Sequence, residues 1–267
     1  TYTDIKTREV PDWISYAGIT SGLGMRLLLS IEAGHYGLLI RGVEGFALCA
    51  AIGLTLFYLG QWGGGDSKLL MAVGAVIGPR FNLDSPLVAF LANLTIIGGM
   101  YGFIWTSAVG IGEYSKVKQQ IRKEYKAPLV GIIQGGLAIL GLLMAITVSI
   151  LFEEVALQAL GILAALAIPS SFALYVIFGS IEKVCLIKNV APDKLTEGDW
   201  IAEDIKHKGK LLCGPSDLGI EKEQIALLKK YKIKQVLIKV GMPFVPAFLV
   251  AYTITVMYGS LLRLFGF

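Results

Sequence analysis

The sequence predicts an all-α polytopic membrane protein with a small α+β cytoplasmic insertion, and three observations lead to this fold class. The chain has 267 residues, of which 55% are hydrophobic and 16% charged, with a mean hydropathy of +0.67. Several uncharged runs approach or exceed the roughly 20 residues that cross a bilayer core. One long polar segment, residues 181–241, interrupts these runs near the C-terminus. Soluble domains of this size are less apolar, so we expect a membrane protein.

Seven membrane spans are predicted from apolar runs that end at charged residues, proline or glycine. The third run is only 12 residues long and is too short to cross about 30 Å of hydrocarbon as an untilted helix. The chain opens with Thr1 rather than Met, so we expect an eighth helix ahead of the first span in a longer precursor. The predicted spans are residues 13–31, 43–60, 68–79, 86–110, 128–151, 156–180 and 243–265.

The distribution of lysine and arginine predicts the orientation of these spans. Residues 112–127 carry five basic side chains, and residues 181–241 carry twelve lysines. The loops on the opposite side carry Arg41, Arg80 and two adjacent glutamates. Because basic loops tend to remain in the cytoplasm, both basic segments are predicted to be cytoplasmic. The alternation of spans then places the first twelve residues and the loop 61–67 on the same side.

The polar segment 181–241 is predicted to form a small α+β module. Residues 221–231 place acids first and lysines last around an apolar stripe, as an amphipathic helix does. Residues 234–239 read as a strand and residues 213–217 as a turn. The predicted organisation is therefore a membrane-embedded part over residues 1–180, the module over 181–241 and a last transmembrane helix over 242–267.

The cysteines and histidines favour neither disulfides nor a zinc site. The three cysteines have no CxxC spacing, so we expect reduced thiols. The two histidines lack HxxH and HExxH spacing, which argues against a zinc protease. We expect no metal or cofactor, and no nucleic-acid partner. The three cysteines are Cys49, Cys185 and Cys213, and the two histidines are His35 and His207.

A run of three glycines precedes Asp66 at a predicted membrane interface. Glycines permit positive φ and close approach of another backbone. Two interpretations stay open: the run is a flexible connector between spans, or it is a bed on which an extended substrate lies against the carboxylate. Farther along, Gly74 and Gly78 share one helical face and allow close helix packing. The candidate residues for holding a substrate are Gly63, Gly64, Gly65 and Lys68.

Asp4 is the candidate partner of Asp66, because both aspartates are predicted at cytoplasmic ends of spans. Two close carboxylates share one proton, so that one activates water while the protonated one polarises a carbonyl group. Asp12 competes with Asp4 for this role, but its position after Pro11 is explained by a helix start. Arg26 and Glu44, also in or beside spans, are given structural roles.

Two sequence segments resemble the signature segments of the type IV prepilin peptidases. They are DIKTREVPDW, residues 4–13, and GGGDSKLLMAVGAVIG, residues 63–78. This family comprises GxGD aspartic proteases of the membrane and includes archaeal preflagellin peptidases. Residues 213–225 and 240–251 are similar to the C-terminal region of archaeal members. The family carries a transmembrane helix ahead of its first aspartate, which matches the eighth helix expected ahead of residue 1. The sequence lacks the cysteine tetrad of bacterial members, so methyl transfer is not implied.

The resemblance implies that Asp4 and Asp66 are the catalytic pair of an aspartic endopeptidase in the cell membrane. The implied substrates are pilin- or flagellin-like precursors, whose short basic leader is removed at the cytoplasmic face of the bilayer. Acids near the site, Glu9, Asp12 or Glu113, would offset the repulsion between a basic leader and a lysine-rich face.

Two other functions compete with this interpretation. The first is a presenilin-like or signal-peptide-peptidase-like protease that cuts within transmembrane helices, although its first aspartate follows tyrosine and Asp4 follows Thr3. The second is a transporter in which Asp66 binds a cation within a broken helix. Inverted repeats would support a transporter, and the two halves of the sequence show no convincing repeat.

Overall fold

The computed structural model describes residues 1–79, 85–207 and 209–265, so Arg80 lies outside the described residues. Helices dominate the chain, with a π-helical turn at Glu182–Leu186 and 3-10 turns at Pro192–Lys194 and Leu261–Phe265. The helices are α1 (Tyr2–Thr7), α2 (Asp12–Glu32), α3 (Gly37–Tyr58), α4 (Gly64–Ile77), α5 (Pro86–Gly112), α6 (Tyr114–Tyr125), α7 (Pro128–Leu151), α8 (Val155–Ile181), α9 (Lys222–Lys230) and α10 (Val245–Tyr258). The strands are β1 (Ile187–Val190), β2 (Trp200–Ile201), β3 (Ile205–His207), β4 (Lys210–Cys213) and β5 (Val236–Lys239).

Five of the described helices are long and apolar enough to cross a membrane: α2, α3, α5, α7 and α8. The predicted count of seven spans is therefore not confirmed. The other two predicted spans form α4 and α10, which have 14 residues each and are about 21 Å long. Each ends at a glycine with positive φ, Gly78 at 67° and Gly259 at 76°, where a helix terminates readily. The predicted run 243–265 thus overstates the length of α10, whereas α4 begins four residues before its predicted run 68–79 and ends two residues before the end of that run.

The chain divides into two compact units, Thr1–Trp105 with Val190–Phe267, and Thr106–Asn189. In the first unit, glycines allow α4 to pack closely against α3 and α2. A Cβ on Gly74 would overlap the carbonyl oxygen of Gly45 and the side chain of Cys49. A Cβ on Gly22 would lie 2.8 Å from the Val76 side chain. The predicted close packing at Gly74 is therefore confirmed.

Helix α10 packs against α5 in the same unit. Its apolar face joins Phe90 and Leu94 of α5 in a buried cluster that includes Phe248 and Ala251. Toward the C-terminal end of α10, the buried Asn93 amide donates 2.9 Å hydrogen bonds to the Thr255 hydroxyl and the Gly259 carbonyl. A buried amide whose donors are both satisfied stabilises this contact.

The second unit contains the antiparallel hairpin of α7 and α8 together with α6. A Cβ on Gly141 of α7 would lie 2.6 Å from the Ala165 carbonyl oxygen, so these helices approach closely. Helix α6 carries four of the five basic residues of segment 112–127, and Lys126 follows its last residue. The sequence predicted the orientation of this segment but no helix in it. Its Glu124 pairs with Lys183 at 2.7 Å.

The polar segment folds around its own small core in the first unit. Strands β2 and β5 are antiparallel, with Trp200 opposite Lys239, and β3 pairs with β4. The predicted helix and strand are confirmed as α9 and β5, and the Gln224 side chain accepts a 2.9 Å bond from the Glu221 N–H at the start of α9. The predicted division at residues 180 and 241 stays a prediction. The core side chains are Leu195, Ile201, Leu212, Cys213, Ile220, Leu228, Val236 and Ile238.

Candidate active site

Asp4 is the one buried residue of the short helix α1, with 4% of its surface exposed. Burial of a carboxylate is unfavourable unless the group has a hydrogen-bond partner. The partner is the backbone N–H of Val245, the first residue of α10, which donates a 2.8 Å hydrogen bond to Asp4 Oδ2. Helix α1 and the start of α10 therefore meet at this carboxylate.

Asp66 lies in the first turn of α4 and outside the five candidate spans. Gly63 precedes the helix in an extended conformation, with φ of −71°, and Gly64 and Gly65 are helical. None of the three glycines has a positive φ, so the left-handed conformation that glycine permits is not used here. The close approach is confirmed at Gly65, where an added Cβ would lie 2.9 Å from Val10 Cβ. The glycine run thus admits the linker that joins α1 to α2.

Asp4 lies close enough to Asp66 for its charge to act on the Asp66 carboxyl group. Burial raises the pKa of Asp66 to about 7, the nearby charge of Asp4 adds to the rise, and a hydrogen bond with the Gly63 backbone opposes it. Burial also raises the pKa of Asp4, against the hydrogen bond from Val245 and the positive charge of Arg8. One carboxyl group is therefore suited to hold a proton near neutral pH.

Helix α4 is fixed at both ends by side chains that bond to backbone carbonyl groups. Near its start, the buried Ser67 hydroxyl lies 2.9 Å from the Gly53 carbonyl oxygen of α3. At its end, the Arg26 guanidinium of α2 donates hydrogen bonds to the carbonyls of Ala75, Val76 and Ile77. These contacts satisfy the last carbonyls of a helix too short to reach across the bilayer. Arg26 thus has the structural role that the sequence predicted.

Lys68 is engaged with α2. Its Nζ lies 2.7 Å from Asp12 Oδ1 and 5.6 Å from the centre of the Tyr16 ring. The pair is partly exposed, at 32% for Lys68 and 57% for Asp12. The assignment of Lys68 to substrate binding stays a prediction, and in this structure its ammonium group links α4 to α2. Asp12 occupies the first turn of α2, as its position after proline predicted.

Aromatic side chains connect the glycine run to the start of α10. The ring of Trp62, next to Gly63, lies 5.5 Å from Phe244 and 5.6 Å from Phe248, centre to centre. Tyr101 of α5 packs against the same cluster and lies within electrostatic range of Asp4. The sequence analysis did not identify the aromatic residues of this cluster or Val245 as parts of the site. Pro246, the second residue of α10, indicates a helix start but says nothing about what that helix contacts.

The side chains that commonly bind metals do not gather at this site. Across residues 1–79, 85–207 and 209–265, no three His, Cys, Asp or Glu side chains cluster as metal ligands would. The three cysteines are free and buried. His35 bonds locally to the Gly37 backbone, and His207 stacks on Tyr231 in the polar module.

The comparison with protein families confirms the resemblance. Residues 1–104 match the model of the type IV leader peptidase family. The chain is 39% identical over 145 residues to a preflagellin peptidase of Methanococcus voltae, a match that covers 48% of this chain and 59% of the relative. It is 37% identical over 93 residues to a preflagellin peptidase of Methanocaldococcus jannaschii, covering 34% of this chain and 39% of the relative.

A third relative, a preflagellin peptidase of Methanococcus maripaludis, is 33% identical over 91 residues, covering 34% of this chain and 38% of the relative. The matches thus span from about two fifths to three fifths of the length of these curated relatives. No solved structure matches the chain. Asp4, Asp66 and the glycine run all fall within the residues matched by the family model.

Proposed function

We propose that this protein is an aspartic endopeptidase that removes the leader peptide of flagellin-like or pilin-like precursors. The observation that carries the proposal is a pair of interacting carboxyl groups within the segment that matches a leader peptidase family. The names of the three relatives support a flagellin-like precursor as the substrate. The alternatives, cleavage within transmembrane helices and ion transport, lack comparable support.

The proposed reaction uses one proton shared between the two aspartates. Asp4 is the carboxylate, because the Val245 N–H stabilises its charge, and Asp66 is the acid, because its pKa is raised to about 7. Asp66 donates a hydrogen bond to the scissile carbonyl oxygen, and Asp4 accepts a proton from the attacking water. The tetrahedral intermediate collapses as the amide nitrogen takes a proton from Asp4 and leaves as an amine. The product acid and a single proton on the pair remain.

We propose that cleavage occurs at the cytoplasmic face of the membrane. The lysine-rich segments support this orientation through the tendency of basic loops to remain inside. A precursor whose apolar helix stands in the bilayer would present its basic leader at that surface. Of the acids expected to attract such a leader, Asp12 is paired with Lys68, whereas Glu9 is exposed next to α1.

Two isosteric substitutions test the catalytic pair. We expect Asp4→Asn and Asp66→Asn each to lower leader cleavage by at least about 10²-fold, since each removes an acid–base group. The measurement is the rate of leader loss from a preflagellin-like precursor in membranes, followed by mass spectrometry of the new N-terminus. Asp12→Asn is the matched control, because it alters an exposed aspartate of α2. Wild-type rates in Asp4→Asn or Asp66→Asn would overturn the assignment.

The same assay separates the alternatives. A leader peptidase releases the leader intact, with the cut just before the apolar helix. A presenilin-like enzyme would instead give a cut within the apolar helix. If Asp66→Asn abolished ion flux into proteoliposomes and left proteolysis unchanged, the transporter function would replace the peptidase function.

A further inference from the structure

The start of α10 contacts the candidate active site, although it lies outside the 104 residues that match the family model. The Val245 N–H is the first of α10, Pro246 has no N–H, and the Ala247 N–H bonds to the Phe244 carbonyl at 3.0 Å. The Val245 donor therefore has no partner within its own helix and is satisfied by Asp4. Both atoms of this contact are buried.

The segment around Val245 also packs against the residues that precede α4, the helix that carries Asp66. Phe244 and Phe248 pack on Trp62, which lies immediately before the glycine run. Glycines of α5 make room for this segment, because a Cβ on Gly98 would lie 2.7 Å from Phe244 Cζ. The segment thus bonds to one aspartate and packs against the residues that precede the other.

We propose that the start of α10 is a third component of the active site. In it, the Val245 N–H is the positioning group that orients the Asp4 carboxylate to accept a proton from the attacking water, while Asp66 bonds to the scissile carbonyl. This inference rests on the proposed function and adds to it. Val245 does not touch the substrate and acts through Asp4. Its hydrogen bond fixes which oxygen of Asp4 is engaged, so that Oδ1 is left to accept the proton of water.

The charges around Asp4 come from several elements. Arg8 follows α1, Asp66 belongs to α4, and Tyr101 belongs to α5. The Arg8 charge and the Val245 N–H favour the ionised carboxylate, and burial opposes it. Removal of the N–H leaves the other charges in place, so the pKa of Asp4 should rise further.

The test replaces the Val245 amide with an ester in the full-length protein, by incorporation of the α-hydroxy analogue of valine. The ester keeps the side chain and removes the donor, and it also weakens the Phe244 carbonyl as the acceptor of the Ala247 N–H. We expect kcat to fall about tenfold with KM changed less than twofold, and the acidic limb of the pH–rate profile to move up by about one to two pH units, the range of a hydrogen bond to a charged group. Valine reincorporated by the same method keeps both the N–H and the side chain and should match the wild type.

The position of the acidic limb is a property of each folded molecule, so it does not depend on how much of the variant folds. An ester variant with an unmoved limb and kcat within twofold of the wild type would overturn the inference. If Asp4→Asn were inactive at the same time, the proposed peptidase would still stand. Activity in Asp4→Asn would instead overturn the proposed function itself.

Discussion

The two aspartates are positioned in different ways. Asp66 lies in the first turn of a helix whose position is set by neighbouring elements: Val10 packs on Gly65, Ser67 bonds to Gly53, and Arg26 caps the far end. Asp4 lies on a six-residue helix, and its carboxylate depends on one donor 241 residues away. Close helix packing holds the first group, and one long-range hydrogen bond holds the second.

The largest expected effect in this comparison comes from filling the space beside Asp66. Gly65→Ala places a Cβ 2.9 Å from Val10 Cβ, so the linker between α1 and α2 must move. Overpacking of this kind costs about 1–3 kcal/mol, and we expect leader cleavage to fall at least about tenfold as Asp4 moves with the linker. Precursor processing and thermal unfolding in detergent measure the two effects.

A second substitution distinguishes this crowding from other effects at Gly65. Val10→Gly in the same chain provides room for the new methyl group, so the double variant should recover most of the lost rate. Gly64→Ala should leave the melting temperature unchanged or slightly higher, because its Cβ would lie 3.7 Å from the Phe57 ring in ordinary contact. Failure of Val10→Gly to restore any activity would show that the glycine acts on something other than the linker.

The pH dependence gives an effect of intermediate size. The pKa of Asp66 is about 7 in the folded protein, against the ordinary 3.8. Between these values the folded state binds more protons, so this group lowers the free energy of unfolding as pH rises. We expect Asp66→Asn to melt several degrees above the wild type near pH 8 and at a similar temperature near pH 4, as measured by thermal unfolding at both values.

Activity should respond to the same ionisation. We expect leader cleavage to decline as pH rises through about 7, where Asp66 loses the proton that it donates. The acidic side of the profile belongs to Asp4, whose pKa is also raised by burial. A rate that stays constant from about pH 6 to pH 9 would contradict the acid role of Asp66.

The smallest expected effect concerns the exposed pair of Lys68 and Asp12. Exposed ion pairs contribute about 0–1 kcal/mol, so Lys68→Met and Asp12→Asn should each change the melting temperature little and the cleavage rate less than about twofold. A tenfold loss in Lys68→Met together with wild-type activity in Asp12→Asn would indicate that the ammonium group contacts the substrate. The kinetic measurement on both single variants decides between these results.

The sequence predicted the local parts of this site better than the distant ones. The GGGD motif of residues 63–66 was visible because its residues are contiguous, but residues 61–67 were predicted as a loop, and α4 begins within them at Gly64. The helix starts at Pro86 and Pro128 were also predicted, since proline favours the first turn. The start of α3 at Gly37 was predicted six residues late, because Arg41 and Glu44 interrupt the apolar run while lying on its exposed side.

The remaining parts depend on contacts that leave no pattern in the sequence. The Val245 donor is a backbone group, and every residue but proline carries one. The bonds from Arg26 join residues about 50 positions apart and required the packing of α2 on α4 to be known. Tyr101 and Trp62 look like ordinary apolar residues until α10 is placed beside them.

The hydrogen bond from Val245 has a consequence for the synthesis of the protein. Asp4 is synthesised 241 residues before Val245. During the interval the nascent chain holds both aspartates but lacks the donor that orients the first. On the proposed function, proteolytic competence would arise only when α10 docks, which would keep an incomplete enzyme from cutting proteins that are inserted beside it.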